Sequence, residues 1–279
     1  MTTTLPAARP EAVTGRSTFI ALAAREVRRF VVNPVFLIGA ALIASGLWFG
    51  RPPPVTEIDT TKIFLGGFGM LVAFWQTRSM RTSEPVVGTT PTTLPMRTAA
   101  LCTVAIVPLL CGVSNLVAVD WMYGPLSPPA SIAVRISQMV LPALGGPLLG
   151  VALGRWVRFA GAGLLAFLAL WVWMSVVTVV NLSDPDPTPN VVLRLFAPFA
   201  FVTSTDNTTI LTTTWRGSPW WFIGWQLAVC AIVVLIAVLR GAQGRVRSAI
   251  VRALPIIAVV AAILLALASG GAFAHAAHA

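Results

Sequence analysis

Lysine occurs once in 279 residues, at Lys62, and tyrosine once, at Tyr123. A phosphate-binding loop of the form G-x-x-x-x-G-K-[ST] needs its lysine behind a glycine pattern, and Lys62 has none and is followed by Ile63. The chain therefore does not hold ATP in that way. The two histidines, His275 and His278, belong to an alanine-rich tail, and two ligands make a poor metal site. Neither H-E-x-x-H nor a nucleophile elbow is present. Cys102, Cys111 and Cys230 are odd in number and lie inside apolar runs, where a thiol behaves as a small hydrophobe, so no disulfide framework follows. Carboxylates number nine, and charged residues make up 10% of the chain. No apolar run has an ionisable group near its centre, which removes the buried relay that proton- or sodium-coupled carriers keep. Asp120 and Arg135 stand at the edges of runs, while Asn115, Gln138 and Gln226 are uncharged and suit hydrogen bonds between helices. The expectation is no metal, no cofactor and no catalytic centre in this chain.

What is present is apolar. Hydrophobic residues are 57% of the chain and mean hydropathy is +0.85, which leaves too little polar surface to cover a water-soluble domain. An integral membrane protein is expected. The net charge of +10 would suggest nucleic acid in a soluble chain, but the arginines sit in short clusters between apolar runs and read as topology signals, not as a nucleic-acid face. A helix needs roughly 17 to 25 apolar residues to cross a bilayer. Candidate spans fall at 32–50, 62–77, 98–119, 136–154, 160–181, 219–239 and 253–271. Placing the N-terminus in the cytoplasm puts 14 of the 19 basic residues inside, including Arg25, Arg28, Arg29, Arg78, Arg81, Arg97, Arg155, Arg158 and Arg240. That topology places the C-terminus outside.

Three segments between or before the spans stand out. Residues 1–16 are polar and read as a disordered cytoplasmic tail. Residues 17–31 carry Phe19, Ala23, Val27 and Phe30 at helical spacing, with Arg25, Glu26, Arg28 and Arg29 around the remaining surface, the pattern of an amphipathic helix lying in the inner leaflet. The cytoplasmic loop at 78–97 contains "RTSEPVVGTTPTTLPMR". Ser83 can cap a short helix whose first turn holds Glu84 and Pro85, where an acid suits the helix dipole and a missing N–H costs nothing. Outside, residues 182–218 join a turn-rich "NLSDPDPTPN" to an apolar stretch too short to span and broken by Pro198, which reads as re-entrant or as lying on the lipid surface.

This arrangement resembles the permease subunit of ATP-binding-cassette transporters of the type 2 exporter class. The residues that carry the likeness are "AAREVRRFVVNPVFLIGAAL" leading into the first span; Arg78, Arg81, Glu84, Thr90, Pro91 and Arg97 in the first cytoplasmic loop; "RLFAPFAFV" followed by "SPWWFIGWQLAV"; and the basic stretch 240–252. The resemblance implies an all-α polytopic membrane bundle in the plasma membrane, with a connecting helix at 17–31 and a six-span core at 32–252. A seventh span and an external tail, together 253–279, go beyond that core. It further implies a separate ABC ATPase subunit gripping Arg78, Arg81, Glu84, Pro85, Thr90, Pro91 and Arg97. A second permease chain, like or unlike, would complete a dimer. By the same resemblance spans two and five line the substrate path, with Phe68, Met70, Phe74 and Trp75 in one and Trp171, Trp173 and Met174 in the other. A hydrophobic or amphipathic cargo (lipid, peptide or drug) would suit those contacts. Pro85 and Gly88 make the coupling helix shorter than is usual in that class, and the seventh span is additional to it. The alternative is a non-transporting membrane scaffold or assembly factor.

Overall fold

In the computed structural model, residues 15–49, 62–82, 92–123, 132–183, 199 and 218–270 are described, and among them the only regular structure is helical. Helix α1 (Gly15–Val31) and α2 (Pro34–Phe49) are joined by a sharp corner, their axes bent by 61°. The corner follows from "VNPVF". Asn33 caps α2, its Oδ1 accepting from the Val35 amide at 3.0 Å, and Pro34 sits at the first helical position. Phe30 and Phe36 pack across the bend with ring centroids 4.7 Å apart.

A π-helical stretch, Lys62–Phe68, leads into α3 (Gly69–Thr82). Helix α4 (Leu94–Cys102) passes through a 3₁₀ turn, Thr103–Ala105, into α5 (Ile106–Tyr123). That tightening has a local cause, because Pro108 offers no N–H to the Val104 carbonyl four residues earlier. Likewise α6 (Ile132–Arg135) widens through a π-helical stretch, Ile136–Val140, before α7 (Leu141–Trp156), where Pro142 leaves the Gln138 carbonyl without its helical donor. The chain continues with α8 (Ala162–Ser183), α9 (Pro219–Leu239) and α10 (Gly244–Gly270).

Three of these passes are long and apolar enough to cross a membrane, Leu94–Met122, Trp220–Leu239 and Gly244–Ala268; a fourth is added if the bent α1–α2 pair counts as one. The other apolar runs also fall on helices: α8 continues for 22 residues, and π-helical stretches lead into α3 and α7. The outer surface is greasy: Trp121, Val117, Phe159 and Ile256 all present more than half of their area. The last helix begins at Gly244, nine residues before the apolar run, so Arg245, Arg247 and Arg252 stand on its first turns and not in a loop. Gly244 has φ of +53°, a left-handed conformation that glycine adopts without a Cβ penalty.

Helix α7 is the hub, packed against α3, α5, α8 and α9, while α10 leans on α9. Its contact with α3 is made backbone to backbone. Gly146, Gly150 and Gly154 recur every four residues and so form one stripe along the helix. A Cβ on Gly146 would collide with the Gly66 carbonyl, and one on Gly150 with the Met70 carbonyl. At Gly154 it would stand 2.7 Å from the Thr77 Cβ. Two lipid-immersed helices gain no hydrophobic effect by meeting, so close approach and dispersion must hold them, and small residues permit both. The large residues of α3 then pack around the stripe, with Val72, Ala73, Leu148 and Val151 in the main apolar cluster.

Replacing Gly150 with alanine should therefore cost about 1–3 kcal/mol, the usual penalty for overpacking, and lower the Tm of the detergent-solubilised chain. Gly224→Ala is the control, since its new methyl would meet Leu264 at an ordinary 3.4 Å. It should leave Tm unchanged or raise it.

Candidate functional site

The end of α7 gathers the residues with the most chemistry. Helix α7 stops at Val157, whose backbone is extended, and the last carbonyls of any helix lack an internal donor. Here arginines from α3 and from the end of α9 bind the Trp156 carbonyl and the two that follow it beyond the helix. Arg78 donates from Nη1 to the Arg158 carbonyl at 2.9 Å, Arg81 to that of Val157 at 3.3 Å, and Arg240 to that of Trp156 at 3.4 Å. The Trp156 indole in turn donates to the Ile236 carbonyl at 2.8 Å, and the Arg240 guanidinium lies 5.3 Å from the centre of its ring. Cations at a helix C-terminus also oppose the partial negative charge there. The result is a pin that ties the ends of α3, α7 and α9 together.

One position earlier, Arg155 is the largest fully buried side chain, 2% exposed. A sequence reading that places Arg155 among solvated cytoplasmic arginines misses this. It stands next to Gly154, where the close approach of α3 covers the face that it shares.

Of the residues expected to grip a partner, Arg78 and Arg81 are drawn onto the end of α7, and Arg97 donates from Nε to the Thr92 hydroxyl at 2.6 Å at the start of α4. Glu84, Pro85, Thr90 and Pro91, together with the short capped helix expected there, lie outside the described residues. So does the expected re-entrant segment apart from its edges and Phe199. On α1, Arg25, Arg28 and Arg29 are exposed, and Arg29 pairs with Glu26 at 3.3 Å, an exposed contact worth little on its own. The opposite face of α1, ending in the fully buried Phe30, packs on α4 and the following 3₁₀ turn and not only on a lipid leaflet.

The residues expected along a substrate path divide into two groups. Met70 and Phe74 are fully buried: the Met70 carbonyl lies over Gly150, and the Phe74 ring lies where a Cβ of Gly163 would stand, at 2.6 Å. Phe68 packs between Phe64 and Phe167, its centroid 5.5 and 6.1 Å from theirs. Trp75 and Trp171 are instead 44% and 52% exposed on the outer surface, with Trp173 half-buried. The Met174 backbone continues α8, and its side chain is outside the description.

Two further polar side chains are buried between helices. Gln226 donates from Nε2 to the Ser137 carbonyl at 3.1 Å, which ties α9 to the π-helical stretch before α7. Thr77 returns its hydroxyl to the Ala73 carbonyl at 2.7 Å. Among the described residues no cluster of histidine, cysteine and carboxylates could hold a metal ion. The glycine stripe and the Trp156–Arg240 pair are the features that sequence reading missed. The first had a visible signal, the four-residue spacing in "GGPLLGVALG". The second joins residues about eighty apart and had none.

The chain matches no protein-family model, no curated protein and no solved structure.

Removing the Arg78 side chain should loosen the turn after α7. A hydrogen bond to an exposed charged group is worth about 1 kcal/mol net, so Arg78→Ala should speed amide exchange at 157–162 roughly fivefold, with exchange in α10 unchanged.

Proposed function

We propose that this chain is the membrane-spanning permease subunit of an ATP-driven exporter. It would work with a separate ATPase subunit and a second permease chain, its N-terminus in the cytoplasm and its arginine-rich end facing the ATPase. On this reading the six-span core is followed by the extra helix α10, and the cargo is hydrophobic or amphipathic. The single observation that carries the proposal is how the helix ends on either side of residues 83–91 are held. Arg81, on the last turn of α3, donates to the Val157 carbonyl, and Arg97, on the first turn of α4, donates to the Thr92 hydroxyl. On this reading a push between those ends would be carried by α3 to α7, whose backbones touch. The 61° corner between α1 and α2, followed by a helix entering the bundle, supports the reading, since an interfacial helix of this kind offers a second contact at the same end.

The work of transport would then be done by rigid-body displacement. ATP-driven closure of the partner would be transmitted through Glu84 and its loop to α3 and α7, and thereby to the surfaces carrying Trp75 and Trp171. With both tryptophans on the outside of the single chain, the path would form only where two permease chains face each other.

The scaffold reading draws on the same glycine contact, because helices locked backbone to backbone with Met70 and Phe74 buried between them suit a static frame. Affinity purification of the full chain from its native membrane separates the two. The exporter reading expects a stoichiometric P-loop ATPase that is lost on Glu84→Arg while insertion and Tm persist. Absence of any ATPase under gentle detergent, or retention of it in Glu84→Arg together with Pro91→Ala, contradicts it.

A further inference from the structure

The end of α7 gathers guanidinium groups from three elements in one place. A helix C-terminus presents roughly half an elementary negative charge. Against it stand the guanidiniums of Arg78, Arg81 and Arg240, bound to three consecutive carbonyls, with Arg158 exposed beside them and Arg155 beneath. Consecutive residues are only 3.8 Å apart along the chain, so these charges are crowded into one patch. Among the described residues the carboxylates are Glu26, which pairs with Arg29, and Asp120. Asp120 lies near the far end of the α4–α5 pass, roughly 40 Å from its start at 1.5 Å per residue. Neither of these two carboxylates pairs with Arg78, Arg158 or Arg240.

The surroundings decide which anion fits. Trp156 and Phe159, 45% and 61% exposed, flank the cluster on the same turn, and the next exposed residues of α8, Leu164 and Leu165, continue the apolar outer surface. Amphipathic tryptophan beside arginine, with aliphatic side chains immediately beyond, is the pattern of the headgroup level of a bilayer. A soluble acidic protein would have to cover exposed Phe159 and Leu164 as well as the charges. A lipid meets both requirements in one molecule, the phosphate against the arginines and the acyl chains along α8.

We infer that the turn after α7 is a binding site for an anionic phospholipid, its phosphodiester held by Arg78, Arg158 and Arg240 and its chains lying against Phe159, Leu164 and Leu165. Guanidinium suits this role because its planar fork meets two phosphate oxygens at once, and each of the three arginines has nitrogens beyond the one bonded to a carbonyl or, for Arg158, an exposed head. The inference does not rest on the exporter reading; an exporter subunit and a scaffold would carry the site equally, and ATPase co-purification and lipid retention are read separately.

The test uses the full chain reconstituted in vesicles of phosphatidylcholine alone or of equal parts phosphatidylcholine and phosphatidylglycerol, then extracted for native mass spectrometry. The wild-type chain should retain phosphatidylglycerol in preference to phosphatidylcholine. Arg158→Gln, which removes no hydrogen bond that holds the helix end, should lower that retention about fivefold for its one charge, with Tm in phosphatidylcholine unchanged. Arg25→Gln, on the exposed face of α1, should leave it unaltered. An equal loss in Arg25→Gln would mean diffuse charge attraction and overturn the site. Displacement of the lipid by inorganic phosphate at matching concentration would overturn it in favour of a free anion. Undiminished phosphatidylglycerol in Arg158→Gln, with loss of a co-purifying acidic protein, would overturn it in favour of a protein partner.

Discussion

Gly146, Gly150 and Gly154 let the backbone of α7 lie directly on that of the helix running from Gly66 through Thr77, and the rest of the bundle is arranged around this contact. In water two helices can be driven together by apolar side chains; in lipid that drive is absent, and proximity itself must supply the attraction. A stripe of glycines on α7 achieves it at the expense of side-chain packing along one line. The cost is sensitivity, since any methyl on that line meets a carbonyl or a Thr77 side chain. The gain is an extended contact between α3 and α7, to which α9 is joined through Gln226 and Trp156.

This rigid pair ends in a cluster of arginines, and the two features depend on each other. Close packing of α3 on α7 brings Arg78 and Arg81 within reach of the carbonyls of Arg158 and Val157, just beyond the end of α7, and their hydrogen bonds hold that turn against α3. Trp156 gives Arg240 a ring to lie on while binding the Ile236 carbonyl, so α9 is held to the same turn. The concentration of positive charge that results exceeds what a helix end can offset. A rim built in this way is suited to the anionic phospholipid inferred above.

Much of the helical layout was legible in hydropathy, and its errors have physical causes. Apolar runs mark the depth of lipid and not the ends of helices, so the start of α10 at Gly244 was hidden by Arg245, Arg247 and Arg252, which are good helix formers. Pro108 and Pro142 leave the carbonyls four residues before them without helical donors, so a 3₁₀ turn lies within the Leu94–Met122 pass and a π-helical stretch precedes α7, and among the described residues three or four passes meet the length and apolarity of a span. The break at Asn33–Pro34 was readable from its cap and its proline. Of the site, the arginines at 78, 81 and 240 were visible as basic residues at one end of the chain's topology, but their common acceptor was not. No sequence pattern announces that three side chains from two helices will meet on the carbonyls of residues 156–158. The burial of Arg155 was likewise hidden, because it depends on which face α3 covers.

The central claim is that α3 and α7 touch through their backbones, since the register of the rim follows from it and the proposed coupling of α3 to α7 depends on it. Solid-state NMR on the full chain in lipid bilayers, with glycine labelled at Cα and methionine at the carbonyl carbon, tests it most directly. The account predicts a Gly150–Met70 cross-peak at short mixing times, comparable with the sequential Gly69–Met70 peak that serves as an internal standard. A strong sequential peak with no Gly150–Met70 peak would mean that side chains separate the two helices, and would contradict the account.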